Sequence, residues 1–208
     1  MEKLQLESAF DPFVEPGPGL LASRVLAFAS AAGLLKGKEI RSLDLKTWKD
    51  VLSRLRAAGL LRGPRTLMIA SGSSLSSEQL TEELSQLYDT IENSPLPDSE
   101  WGSMRELLGD EMLQKLLGIS RQSIHRYSSQ ERATPQDVAE RLHVLTLIVS
   151  ELAGSYNEFG IRRWFERPRP QLGGRAPAAL LKRGWSPDDE DVRRVRALAA
   201  ALLGAGAT

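Results

Sequence analysis

Leu116-Leu117-Gly118-Ile119-Ser120-Arg121-Gln122-Ser123-Ile124-His125-Arg126-Tyr127 spells a helix end, a tight corner and the start of a second helix. Gly118 supplies the backbone freedom a sharp turn needs, Ile119 plugs the angle between the two helices, and Ser120 can cap the first free N–H groups of the second. With Ile124 turned to the core, the outer face of that helix carries Arg121, Gln122, Ser123, His125 and Arg126. All five can hydrogen-bond to base edges or phosphates in a major groove. The pattern predicts a helix-turn-helix that reads double-stranded DNA. The plainer alternative is an ordinary pair of packed helices joined by a glycine.

Both flanks fit a compact helical block over residues 99–156. Upstream, Trp101, Met104, Leu107, Leu108, Met112, Leu113, Leu116 and Leu117 supply an interior. Downstream, Thr134-Pro135-Gln136-Asp137 is a helix start, with a cap residue, a proline at the first helical position and an acid two places on. The helix it opens carries Val138, Leu142, Leu145, Ile148, Val149 and Leu152, widened by Val144 and Leu147. A helix apolar over so much of its circumference is either central to one chain or shared between two subunits.

Composition bounds the rest. A chain of 208 residues that is 41% hydrophobic can bury a real core. The formal net charge is zero, yet the charge is uneven: residues 24–65 hold ten basic and three acidic residues, 66–104 hold seven acidic and no basic, and 161–208 hold ten basic and five acidic. Regional sign is what a phosphate backbone feels. The absence of cysteine excludes disulfides, cysteine-based zinc sites and thiol nucleophiles. Met1 to Gln5 lacks the apolar core of a signal peptide, and no apolar run approaches the roughly 18 residues of a membrane span, so a cytoplasmic, membrane-free protein is expected. No enzyme, cofactor or metal site is expected either. His125 lies on the reading helix and His143 inside an apolar one, without metal-ligand spacing, and Gly33 to Lys38 lacks the phosphate-loop pattern. The acid pairs Glu82-Glu83 and Asp188 to Asp191 sit at helix surfaces or starts.

Residues 1–19, with Pro12, Pro16 and Pro18, are expected to form a poorly ordered lead-in. An extension over 20–73 follows. One helix runs from Leu20 to Gly33, and Asp44 caps a second that carries Leu45, Trp48, Val51, Leu52 and Leu55. Leu60 to Ile69 then looks like a turn into a short strand, as at the end of a winged helix. Lys46, Lys49, Arg54, Arg56, Arg62 and Arg65 would give a second DNA contact there, against the alternatives of a merely solvated face or a dimerisation module. Ser71 to Ser77 reads as a linker, and 74–98 as an acidic linking helix with Leu80, Leu84, Leu87 and Ile91 in one stripe. The fold class is therefore all-α, with or without a β wing near 60–70.

The last segment, 157–208, begins with Phe159-Gly160-Ile161-Arg162-Arg163-Trp164-Phe165-Glu166-Arg167-Pro168-Arg169-Pro170-Gln171-Leu172-Gly173-Gly174-Arg175-Ala176-Pro177-Ala178-Ala179-Leu180-Leu181. This is a short helix stopped by prolines, a Gly-Gly reversal and a helix begun by Pro177. Ser186-Pro187-Asp188-Asp189 opens a final amphipathic helix, with Val192, Val195, Leu198, Ala199 and Leu202 on its apolar face. The flexible-looking tail is Leu203 to Thr208.

Over about residues 99–203 the chain resembles the Xre/MbcA/ParS-type antitoxins, partners of RES-domain toxins. The likeness rests on Trp164 with Phe165, the Pro168-x-Pro170 step, Leu172-x-Gly174, the basic Arg175, Pro177 and Leu180-Leu181, downstream of a helix-turn-helix. The resemblance implies a small all-helical homodimer whose C-terminal domain grips a toxin that consumes NAD, and whose helix-turn-helix represses its own operon. By matching positions, Trp164, Phe165, Pro170, Leu172, Gly174, Pro177 and Leu181 would form the toxin-facing motif, some of them holding the surface and not touching the toxin. The first ninety or so residues exceed the family core, and Arg167 and Arg169 make the proline step more basic than its usual pattern. The rival reading is a stand-alone dimeric transcription factor or chromosome-associated DNA-binding protein with no toxin partner.

Overall fold

The computed structural model describes residues 6–38, 40–61 and 75–205. The described chain is mostly helical: β1 (Ser8–Ala9), α1 (Pro16–Ala31), β2 (Ser42–Leu43), α2 (Leu45–Ala57), α3 (Ser77–Glu92), α4 (Pro97–Leu117), α5 (Arg121–Ser128), α6 (Gln136–Leu152), α7 (Glu158–Glu166), a 3-10 turn (Pro170–Leu172), α8 (Pro177–Leu180) and α9 (Glu190–Ala205). The two short strands pair in parallel, Ser8 with Ser42 and Ala9 with Leu43. The chain divides into two units, residues 2–30 with 34–94 and residues 31–33 with 95–208.

In the N-terminal unit, α2 forms as its periodicity requires. Asp44 accepts from Thr47 N at 2.8 Å, and Trp48, Val51, Leu52 and Leu55 are buried at helical spacing. The backbone bond of the cap holds the Asp44 carboxyl below its usual range, opposed by burial and helped by Ser42. The lead-in is more structured than expected. Phe13 is 1% exposed with its ring 5.3 Å from Trp48, and α1 starts at Pro16, because prolines are tolerated in a first helical turn where the N–H groups have no intrahelical partner. Nor is the acidic helix a linker. α3 starts with a full capping box between Ser76 and Gln79, buries Leu80, Leu84, Leu87, Tyr88 and Ile91, and belongs to the N-terminal unit, where Arg24 lies 4.1 Å over the Tyr88 ring. The expected wing near 60–70, with Arg62 and Arg65, and most of the expected linker lie outside the described residues, as does the end of the tail. Of the basic residues on α2, Lys46, Lys49 and Arg56 are exposed, whereas Arg54 is occupied with Asp50 and the Leu34 carbonyl.

The C-terminal unit is one body, not the two domains expected at 99–156 and 157–208. Leu113, Ile124, Leu145, Trp164, Leu172, Trp185 and Val192 share a single apolar cluster. Its axis is α6, which packs against α4 and α9 and is buried along its length from Val138 to Leu152 apart from Glu140. That settles the helix as central within one chain, so it offers no face to a second subunit. Polar groups go under with it: His143 Nδ1 lies 2.6 Å from Glu100 Oε1, and burial pushes the Glu100 carboxyl up while the His143 contact opposes. Two helix starts shift from their expected positions. Thr134 accepts no cap bond from the helix; its hydroxyl instead accepts from Trp101 Nε1 at 2.9 Å, and α6 starts one residue beyond Pro135. The final helix starts at Glu190, after a turn in which Ser186 N donates to Asp189 Oδ2 at 3.0 Å.

Candidate functional site

α4 is two helices in one. Gly109, at φ 75° and ψ 159°, interrupts it in a region open almost only to glycine, and splits off the segment 110–117. Asp110 and Glu111 then stand in the first turn of the new segment, where its dipole favours acids. Arg105 bridges the break. It donates to both Asp110 oxygens at 2.7 and 3.0 Å and to Ser128 Oγ at 2.8 Å, so one guanidinium ties the start of the first helix of the corner to the end of the second. The Arg105 hydrogen bonds hold the Asp110 carboxyl below the usual carboxylate range against a desolvation cost, and the fields of Arg121 and His125 act in the same direction.

The corner itself follows from local chemistry. Gly118 takes a left-handed conformation (φ 68°, ψ 27°) and its N–H closes on the Gln114 carbonyl. Ser120 caps α5 by accepting from Ser123 N at 3.1 Å. Ile124 and Tyr127 are buried, and Tyr127 packs 6.2 Å from Trp101. Support also comes from far along the chain. Trp185 Nε1 donates to the Leu116 carbonyl at 2.7 Å, satisfying an acceptor the helix end leaves open, and a Cβ at Gly118 would stand 2.9 Å from Arg183 Cα.

On this framework Arg121, Gln122, His125 and Arg126 are solvent-exposed and Ser123 is half-buried, its hydroxyl 3.0 Å from that of Ser120. Among the described residues His125 has a loose acidic neighbour, Glu131, at 3.8 Å. The face is thus a cluster of donors on a helix of eight residues. At about 1.5 Å per residue it spans about 12 Å.

The C-terminal bend is a closed loop. Arg169 N donates to Arg175 O and Gly174 N to Arg169 O, both at 3.0 Å, and the reversal passes through Gly173 (φ 66°) and Gly174 (φ 75°). Arg175 pins it to α9 through Asp191 at 3.1 and 3.4 Å. The seven motif residues divide. Trp164, Phe165, Leu172, Pro177 and Leu181 are buried, Trp164 packed edge-to-face on Phe165 at 5.3 Å, and only Pro170 and Gly174 are exposed. Most of the string therefore builds the bend and cannot touch a partner directly, because its side chains are spent in the core.

Arg105, Asp110, Arg183 and Trp185 were not among the expected site residues. The Gly109-Asp110 pair was the available signal for the first two: a glycine followed by an acid inside an apolar helical pattern marks a break and a restart. Among the described residues no three His, Asp or Glu side chains converge to hold a metal, and no helix is long and apolar enough to cross a membrane. No protein-family model, curated protein or solved structure matches the chain.

Proposed function

We propose that the chain is an antitoxin: its α5 face binds operator DNA as a helix-turn-helix repressor, and its C-terminal bend occludes a RES-like, NAD-consuming toxin. The observation that carries the DNA half is the division of α5, with Ile124 and Tyr127 buried and Arg121, Gln122, His125 and Arg126 exposed. A fixed register presents these donors together, so Arg121 and Arg126 can pair with guanine edges or phosphates while the uncharged donors add base contacts. The helix start at Ser120 adds a favourable field for a backbone phosphate. The toxin half is supported by the Trp164 to Leu181 string and by the loop it closes.

The two chains of a homodimer, each offering one α5, would read two half-sites about one DNA turn apart. The test is operator affinity by fluorescence anisotropy on the chain's own promoter. Arg121→Ala and Arg126→Ala are each expected to weaken it by about 1–3 kcal/mol where the side chain is bidentate to a base. Unchanged affinity in both would remove α5 as the reading helix. Co-expression with the neighbouring gene tests the toxin half by survival of the host.

The second reading, a dimeric transcription factor or chromosome-associated protein without a toxin partner, is favoured by the burial of five of the seven motif residues, which core packing alone explains. Operator binding that persists with no effect on any neighbouring gene product's toxicity would select it.

A further inference from the structure

Beside the bend, Tyr156, Phe159, Gly160, Arg163, Trp164, Arg167 and Arg169 line a recess of about 190 Å³. Three lining residues are arginines, none is acidic, and among the described residues none of the three has an ion-pair partner. Arg169 lies 5.4 Å over the Trp164 ring, and Arg163 lies 5.4 Å over the Phe159 ring. Guanidinium groups held against aromatic faces keep N–H donors for a planar oxyanion. Two donors of the lining, Trp164 Nε1 and Arg169 Nε, are buried without a partner, and Trp164 is 1% exposed. Buried donors left unmet cost free energy, which an acceptor seated in the recess returns once a small shift of the lining side chains uncovers them. Phe159, by contrast, is 61% exposed at the recess, an aromatic surface set next to charge.

We infer that this recess receives a glutamate or aspartate side chain presented by a protein partner. The volume suits one side chain and falls below the roughly 300 Å³ where pockets for drug-sized ligands begin. Charge complementarity calls for an anion, the unmet N–H donors for an acceptor, and the exposed Phe159 for apolar flanking residues. A phosphodiester strand would instead spread its charge along an open basic strip. The inference rests on the reading that this end of the molecule faces a protein, and it adds the chemistry of what is gripped.

The full chain, ¹⁵N-labelled, is titrated with N-acetylglutamate amide while the indole N–H resonances are followed, with that of Trp164 assigned through Trp164→Phe. The expected result is a saturable shift of the Trp164 indole with those of Trp101 and Trp185 unmoved. N-acetylglutamine amide should give no shift, and Arg169→Gln should weaken the response at least tenfold. The exposed Arg167→Gln serves as a second variant should Arg169→Gln fail to fold. No shift with the carboxylate, an equal shift with the glutamine analogue, or tighter responses to inorganic phosphate or a DNA duplex would each overturn the inference. A positive titration alongside failed toxin neutralisation would reject the toxin and keep the recess. Neutralisation that survives Arg167→Gln and Arg169→Gln, with no titration response, would reject the recess alone.

Discussion

Replacing Gly118 by alanine separates two costs that meet at the corner. The left-handed backbone there, φ 68° and ψ 27°, penalises any Cβ by about 1–2 kcal/mol. The new methyl would also stand 2.9 Å from Arg183 Cα and 2.9 Å from Arg183 Cγ, and because one of these is backbone the obstruction cannot swing away. Overpacking of that kind costs about 1–3 kcal/mol, giving about 2–5 kcal/mol together. At about 2–4 °C per kcal/mol for a chain of this size, thermal unfolding should fall by about 4–20 °C. Gly173→Ala is the matched control, since Gly173 shares the backbone conformation (φ 66°) but has nothing within 4 Å of an added Cβ, so it carries the first cost alone. Calorimetry or urea unfolding of both variants reads the difference. Equal losses in the two would refute the close approach of Arg183 to the corner, and a Gly118→Ala protein as stable as the parent would refute the corner itself.

Other perturbations address the polar framework and the bend. Asp110→Asn, which breaks the bidentate pair with Arg105, should cost about 1 kcal/mol at neutral pH. Because folding lowers the Asp110 pKa, its contribution is complete above the unfolded value of about 3.9 and is lost as pH falls through the folded one, so parent and variant should converge below about pH 4 in acid unfolding. Divergence growing toward acid would contradict that sign. Folding raises the Glu100 pKa, so ionisation weakens the fold as pH climbs from about 4.3 through the folded value; Glu100→Gln should gain on the parent over that climb, and a parent that gains instead would show the pair with His143 to be net stabilising as charges. Trp164→Ala should lose about 3–5 kcal/mol and Leu172→Ala about 2–5 kcal/mol from core packing. The exposed Pro170→Ala should stay within about 0.5 kcal/mol in the same unfolding assay, which makes it the cleaner probe of a partner surface.

What could be read from the chain beforehand was whatever depends on neighbours in sequence. The Gly118 turn, the Ser120 cap, the Asp44 cap and the Gly173-Gly174 reversal each involve groups within a few residues, and each has the expected form. Gly109 escaped because the apolar string from Trp101 to Leu117 runs across it without a change of period. Thr134 was drawn off its cap by an indole 33 positions away, and the ordered lead-in depends on Phe13 meeting Trp48, a pairing no local pattern announces. On the motif residues of the bend, residue type alone does not distinguish an aromatic that touches a partner from one that holds the loop together. Burial makes that distinction for Trp164 and Phe165.

Trp185 and Arg183 brace a corner whose helix end lies 69 positions before the indole that serves it. A fragment stopping near residue 156 would keep every residue of the α5 face yet leave the Leu116 carbonyl bare and the flank of Gly118 open. The α5 helix is therefore not an excisable cassette. Any segment exchanged for the C-terminal third would have to supply a substitute brace for the Leu116 carbonyl and the flank of Gly118.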